Sequence, residues 1–488
     1  QLNFRHLGCS GNPAGLSPAI DRLARGGIVA ENAYCQAPLC MPSRASFNTG
    51  YYPHACRVRH NPVDLDQEFR TLAEHLKEAG YATAGFGHLG GDGNERGFDR
   101  KIDFCDDPLR SAYEAEQAHV LADGGKSPVY GGPHPFPLEQ TFDGLATNAA
   151  IEYLEEVSGP FYLQVSFMRP HIPLFIPEPF ASRFAPDDVC LPPTWQESLA
   201  GKPSNVAASR RALEMEGLSE LELRRGLALY YGAVSFIDEL TGRIVDVLER
   251  SDRLDDTLVI FTSDHGDYAG ECGIIGKTGQ FYDSLVHVPF VARGPSAGVA
   301  AGARGEGLMG LVDLVPTVLE ACGVSEDADV QGVSSMDMLR GGKGTPRAVF
   351  ASTSGNGGGT IGFNHQWDEK RLSLLPTDPY SSGPCSHVMD GVMVRSGRWK
   401  LSVWGDGSKE LYNMETDPWE RENLARRESS EAIMAPLLGE LLRWQMKTWL
   451  PDRPQRPLPY HYRSAWIESI PEQWRKVREE WDARRSKD

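Results

Sequence analysis

Two short apolar runs, Phe161 to Phe167 and Thr257 to Thr262, enclose a stretch in which Val234, Ile237, Leu240, Ile244 and Val247 recur at steps of three and four. Each run is followed by polar residues, and Gly159-Pro160 precedes the first, as suits a buried strand. The stretch between them carries the apolar stripe of a long amphipathic helix. Strand, helix and strand in that order call for a crossover, and a crossover implies a parallel sheet with helices on its faces. Ligands of such sheets gather beyond the carboxyl ends of the strands. His171 follows the first run, and Asp264 and His265 follow the second, so the residues best able to do chemistry fall at one edge.

Other signals fill in the architecture. Ser17-Pro18 with Ile20, Leu23 and Gly26-Gly27 predicts a short capped helix, and Thr71 with Glu74 predicts a capping box on a second, ahead of a strand from Tyr81 to Phe86. The 488 residues exceed one core, which stops growing near ~250–300 residues. The expected division is an α/β domain over 1–345, built on a large, mixed, mostly parallel sheet sandwiched by helices, then a smaller α+β domain over 346–450. Gly, Ser, Thr and Pro collect from Gly341 to Pro384, including Gly357-Gly358-Gly359, as in a linker. Val392 to Val394, Trp399 to Trp404 and Glu410 to Met414 alternate with turns as an antiparallel meander does, and a helix from Glu431 to Leu450 would pack on it. The tail 451–488, rich in proline and tryptophan, reads as an arm laid over a surface and suits a subunit contact in a homo-oligomer.

The net charge of −18 argues against nucleic acid as a partner, which calls for a basic patch. It also means that an anionic substrate must be drawn in by local cations, for which Arg44, His171 and Lys277 are the candidates. No run approaches the ~18 apolar residues of a membrane span, so no membrane association is expected. The nine cysteines, at 9, 35, 40, 56, 105, 190, 272, 322 and 385, form no CxxC pair or zinc-type spacing. Such scatter predicts reduced thiols and a cytoplasmic setting, with a periplasmic one as the alternative because the chain opens at Gln1 without methionine.

Cys40-Met41-Pro42-Ser43-Arg44, closed by Thr49-Gly50, places a thiol and a guanidinium four residues apart, on one face if a helix starts here. The unpaired N–H groups of that first turn would face an anion together with Arg44. Taken alone, Cys40 also reads as an inert buried residue and Asp264 as a loop cap. The longer pattern resembles the signature of the type I, formylglycine-dependent sulfatases of the alkaline phosphatase superfamily, where this cysteine is oxidised to formylglycine. Ser263-Asp264-His265-Gly266-Asp267 resembles the family's metal-binding segment, Lys277 in Gly276-Lys277-Thr278-Gly279 its sulfate-contacting lysine, and Arg169-Pro170-His171-Ile172-Pro173 its proline-flanked histidine. Asp313 to Thr317, Arg398 to Leu401, Glu410 to Tyr412 and Asp417-Pro418 match later segments that carry no chemistry.

The resemblance implies sulfate-ester hydrolysis. Formylglycine from Cys40 would hydrate beside a divalent metal, Ca²⁺ or else Mn²⁺, held by Gln1, Cys40, Asp264 and His265. One hydroxyl would attack sulfur while Arg44 and Lys277 hold charge, His171 would protonate the leaving oxygen, and the second hydroxyl would expel sulfate. A small-molecule or saccharide sulfate ester is the implied substrate, and a formylglycine-generating enzyme the implied maturation partner. Asn61 resembles a substrate-contacting residue of the phosphonate monoester hydrolase branch, which makes hydrolysis of phosphonate monoesters or phosphodiesters the second reading.

Two departures stand out. The family's Gly-Lys-x-His-x-Gly is shortened here to Gly87-His88-Leu89-Gly90, so His88 takes either the lysine's or the histidine's place. The strand and acidic metal ligand that come first in relatives have no counterpart before Gln1-Leu2-Asn3, which resembles the Gln-Leu-Asn of choline-sulfatase-like members. A non-catalytic anion-binding homologue is therefore the third reading.

Overall fold

A computed structural model describes residues 1–61, 65–90, 93–104, 106–122, 131–213, 215–327, 329–354 and 390–449. The expected arm over 451–488, most of the expected linker, Cys105 and Cys385 lie outside these residues.

One four-stranded sheet runs β7 (Val259–Thr262), β8 (Phe290–Arg293), β1 (Ile28–Tyr34), β9 (Ala303–Gly310), with β1 parallel to β9 and the β8 ladders antiparallel. A second, wholly parallel sheet runs β3 (Arg100–Asp103), β2 (Ala82–Gly87), β5 (Phe161–Ser166). A short parallel pair joins β4 (Gly131–Pro133) to β6 (Leu174–Ile176). Around these lie α1 (Pro18–Arg25), α2 (Cys40–Thr49), α3 (Leu72–Glu78), α4 (Leu109–Ala122), α5 (Phe142–Glu156), α6 (Ser204–Ala212), α7 (Glu220–Arg250), α8 (Asp283–Val286), α9 (Leu314–Cys322) and α10 (Met336–Leu339).

The helix expected around Val234 is α7, 31 residues long, opened by a Ser219–Glu222 capping box. A cap contributes about 1 kcal/mol, whereas each large side chain buried along α7 contributes about 1.5–3 kcal/mol. The apolar stripe therefore decides where the helix lies. Helix α7 does connect β5 to β7, but among the described residues the two strands belong to different ladders, each bonded along one side. Every residue of both strands is half-buried, while Phe161, Leu163 and Val259 share an apolar cluster with Ile244 of α7.

The Thr71–Glu74 capping box is present. The cap expected from Ser17 is not, because the carboxylate of Asp238 in α7 accepts the N–H groups of Ala19 and Ile20 at 3.0 and 2.8 Å. Ser17 Oγ instead accepts the Gly8 N–H.

The expected meander has a fourth strand, since β10 (Val349–Thr353) lies inside the stretch read as linker and pairs with β11 (Gly391–Ser396). The sheet continues with β12 (Trp399–Trp404) and β13 (Lys409–Asn413), all antiparallel, and α11 (Glu431–Thr448) covers it with Met434, Leu437, Leu441 and Trp444. Buried Lys400 of β12 fastens this sheet to the rest, pairing with Asp283 at 2.5 Å and Glu420 at 2.6 Å. Glu410 accepts hydroxyl bonds from Tyr282 and Tyr412 at 2.9 and 2.7 Å.

Candidate active site at the converging strand ends

Strands β2, β5 and β7 end at Gly87, Ser166 and Thr262, and the residues just beyond them meet the start of α2. Cys40 is the first residue of α2, 7% exposed. Its Sγ lies 2.9 Å from Lys277 Nζ and 3.3 Å from His265 Nε2. Burial raises the pKa of this thiol, but the charges of Lys277 and His265 and hydrogen bonds from His171 and His265 outweigh it and hold the group well below the usual thiol range.

Cys40, Asp264 and His265 offer three ligand atoms within 4.8 Å of one another. His265 Nδ1 lies 2.8 Å from the Gly266 carbonyl, which only a donor can satisfy, so Nε2 is the nitrogen that faces Cys40, carrying the lone pair when the ring is neutral and a proton when it is charged. Fixing a histidine through a backbone carbonyl is the usual way of presenting it to a metal. Asp264 accepts Arg44 Nε and Nη2, both at 3.1 Å, through one oxygen, and the His265 N–H and the Gln1 backbone nitrogen, both at 3.0 Å, through the other. Burial opposes its ionisation, yet His265 and then Arg44 and Lys277 hold the carboxyl well below its ordinary value.

Gln1 enters from the side of β7. Its Nε2 donates to Asp267 Oδ2 at 2.5 Å, which turns Oε1 inward to accept Lys277 Nζ at 2.8 Å. Asp267 is in turn fixed by the N–H groups of Ala269 and Gly276 at 2.7 and 2.9 Å, and burial raises its pKa to about 6. Of the four candidate ligands, Cys40, Asp264 and His265 cluster directly, and Gln1 Oε1 joins them through the Lys277 ammonium that it shares with Cys40. A carboxylate, an amide oxygen, one imidazole nitrogen and position 40 form a donor set that suits a divalent cation.

Arg44 occupies a different post from the anion seat expected of it. Beyond Asp264, its Nη1 donates to Ser166 Oγ at 2.7 Å and to the His88 carbonyl. Gly90, at φ +110°, lets the next loop pass: a Cβ there would stand 2.9 Å from Arg44 Cδ. His88 thus meets the site through its main chain, while its ring lies 5.6 Å from that of Phe104. Asn61 lies against the same helix start, its Oδ1 accepting the Met41 N–H in the first turn of α2 at 3.0 Å.

His171 does reach Cys40. Its Nδ1 is tied to the Ile172 carbonyl at 2.5 Å, leaving Nε2 for the site, and burial followed by the charge of Lys277 lowers its pKa to about 4. Sequence reasoning did not single out Ser43, Ser166 or Asp267. Ser43 Oγ donates to the Asp264 carbonyl at 2.5 Å.

Residues 1–324 match the family described as Sulfatase. The chain belongs to the sulfatase family. Among its relatives is the choline-sulfatase of Rhizobium meliloti, 26% identical over 446 residues, or 86% of this chain and 80% of that one. Another is the multifunctional alkaline phosphatase superfamily protein PehA of Trinickia caryophylli, 29% identical over 375 residues, or 67% and 72%. The fold is also that of the phosphonate monoester hydrolase of Agrobacterium radiobacter, with a TM-score of 0.72, 24% identity and coverage of 92% and 94%. As a sulfatase the chain is a hydrolase of a family that uses a metal and formylglycine, and Cys40, Asp264 and His265 are the cluster on which both would converge.

Proposed function

We propose that this sulfatase cleaves a sulfate monoester of a small alcohol or saccharide, with position 40 as the nucleophile after oxidation of Cys40 to formylglycine. The surroundings of Cys40 carry this reading: a thiol at a helix start, within 3.3 Å of both an ammonium and an imidazole, in a cluster with a carboxylate. Its sulfur marks the place that the formylglycine oxygens would take. Cys40 is buried, so the formylglycine-generating enzyme would act before α2 packs.

Asp264, His265, Gln1 and position 40 would hold the cation, for which Ca²⁺ suits the oxygen ligands and Mn²⁺ the His265 nitrogen. When bound, it supplies positive charge to a sulfate oxygen and lowers the pKa of a hydroxyl it touches. Lys277 faces the same point and offers N–H bonds where negative charge develops. His171 exchanges its proton through Nε2, and an anionic ester beside it favours the charged imidazolium, which can then donate to the leaving oxygen. Arg44 acts through Asp264 rather than on the ester. The chemistry lies within 1–345, and the sheet over 346–450 supports it.

The test is to produce the full chain with a formylglycine-generating enzyme, follow the Cys40 peptide by mass spectrometry for a loss of about 18 Da, and measure turnover. The expected result is that converted fraction and sulfatase activity rise together. A fully converted, metal-loaded sample that leaves every sulfate ester intact would sink the proposal. Faster turnover of phenylphosphonate monoesters would favour the second reading, which the multifunctional relative supports.

A further inference from the structure

Behind the loop that carries His171 lies a set of buried charged groups that the chemistry above does not use. Asp143, at the start of α5, accepts the N–H groups of Met168 at 2.5 Å and Arg169 at 3.2 Å. The Arg169 side chain, 4% exposed, divides its donors three ways. Nε goes to the Phe175 carbonyl at 3.2 Å, Nη1 to the His171 carbonyl at 3.3 Å, and Nη2 to the carboxylate of Glu116 in α4. The other Glu116 oxygen lies 3.4 Å from His134 Nε2. His134 Nδ1 accepts the Phe136 N–H at 3.1 Å, which leaves Nε2 as the ring nitrogen on the side of Glu116. The His134 N–H itself donates to the Ile176 carbonyl at 2.8 Å.

These bonds seize the loop at Met168, Arg169, His171, Phe175 and Ile176. His171 can turn only about its own side-chain bonds, and Nδ1 is already committed to Ile172. We propose that Arg169, charge-balanced by Glu116, is a positioning residue for His171: it holds the His171 carbonyl so that Nε2 stays aimed at the leaving oxygen. A guanidinium suits the task because its planar fork reaches two carbonyls and a carboxylate at once, which a lysine ammonium on a flexible stem does not. The inference rests on the reading of His171 as proton donor.

A purely structural role and a positioning role differ in how the loss depends on the leaving group. Protonation matters for a poor leaving group and little for a good one. The matured, metal-loaded chain is assayed with phenyl sulfate and 4-nitrophenyl sulfate, as parent, Arg169→Lys, His171→Ala and the double variant. Arg169→Lys is expected to lower kcat on phenyl sulfate by roughly ten- to hundredfold and on 4-nitrophenyl sulfate by no more than about threefold. In the His171→Ala background it is expected to add almost nothing on either ester. Equal losses on both esters would overturn the inference and leave Arg169 structural. If His171→Ala itself shows no dependence on the leaving group, the proton-donor reading fails and takes this one with it; if only Arg169→Lys is flat, the positioning role alone fails. Should Arg169→Lys not fold, Glu116→Gln carries the same comparison, because it removes the partner that orients Nη2.

Discussion

Asp264 and Gln1 arrive at one cluster on very different supports. Asp264 stands at a strand end where Arg44, the His265 N–H and the Gln1 nitrogen occupy its oxygens, and Ser43 holds its carbonyl. Gln1 follows a different pattern: its amide is held between the Asp267 carboxylate, which accepts Nε2, and the Lys277 ammonium, which donates to Oε1. The first support is redundant but charged, so removing its centre strands a buried cation. The second is a pair of hydrogen bonds whose sense is set by one acceptor and one donor, so swapping the acceptor for a donor works against it.

The largest effect is therefore expected at Asp264. Asp264→Asn leaves the Arg44 guanidinium buried and half paired, a loss of roughly 3–5 kcal/mol by analogy with broken buried ion pairs. Metal affinity should fall by more than about a hundredfold, and titration calorimetry with a parallel melting curve reads both. Parent-like metal binding by this variant would erase the distinction drawn between the two supports.

Asp267→Asn should be milder and more selective. One amide N–H then faces Gln1 Nε2, so the Gln1 amide flips and Oε1 leaves Lys277. Metal affinity is expected to drop roughly ten- to hundredfold with the fold intact. An unchanged affinity would mean that Gln1 oxygen contributes nothing to the cation.

A smaller effect tests how firmly the segment after Gln1 is held. His6 is packed edge-on against Tyr230 and Tyr231 at 5.0 and 5.6 Å, and burial followed by the charge of Arg5 lowers its pKa to about 3 from 6.5. The folded chain keeps His6 neutral, so its contribution is complete above the unfolded value of 6.5 and is lost as pH falls toward 3, by at most about 1.4 kcal/mol per pH unit. His6→Phe should flatten the decline in Tm between pH 7 and 5. Identical slopes would show that acid acts elsewhere.

Much of this was legible in the residues. The apolar spacing of α7 and the capping box of α3 are local signals, and the structure follows both. Cys40, Asp264, His265, Lys277 and His171 were marked by their flanking motifs, and they meet. What could not be read was which partner each polar group would find. Arg44 looked free for an anion because its partners, Asp264 and Ser166, lie 220 and 122 residues away. Nothing near Asn61 in the sequence reveals that its Oδ1 accepts an N–H in the first turn of α2. Asp267 sits in plain view three residues after Asp264, but only the fold shows that it sets the Gln1 amide. That β5 and β7 fall in different ladders among the described residues was not legible, because an apolar run signals burial, not which edges are bonded.

The Lys400 contact reaches further than its place in the C-terminal sheet suggests. Asp283 opens α8 a few residues beyond the loop that carries Lys277, and its carboxylate is answered by the Lys400 ammonium. A fragment cut after residue 324, where the family match ends, would keep every candidate ligand yet leave that acid without its counter-ion in an apolar interior. Excision would thus unsettle the Lys277 loop from behind, so the two halves of this molecule are inseparable as folded parts.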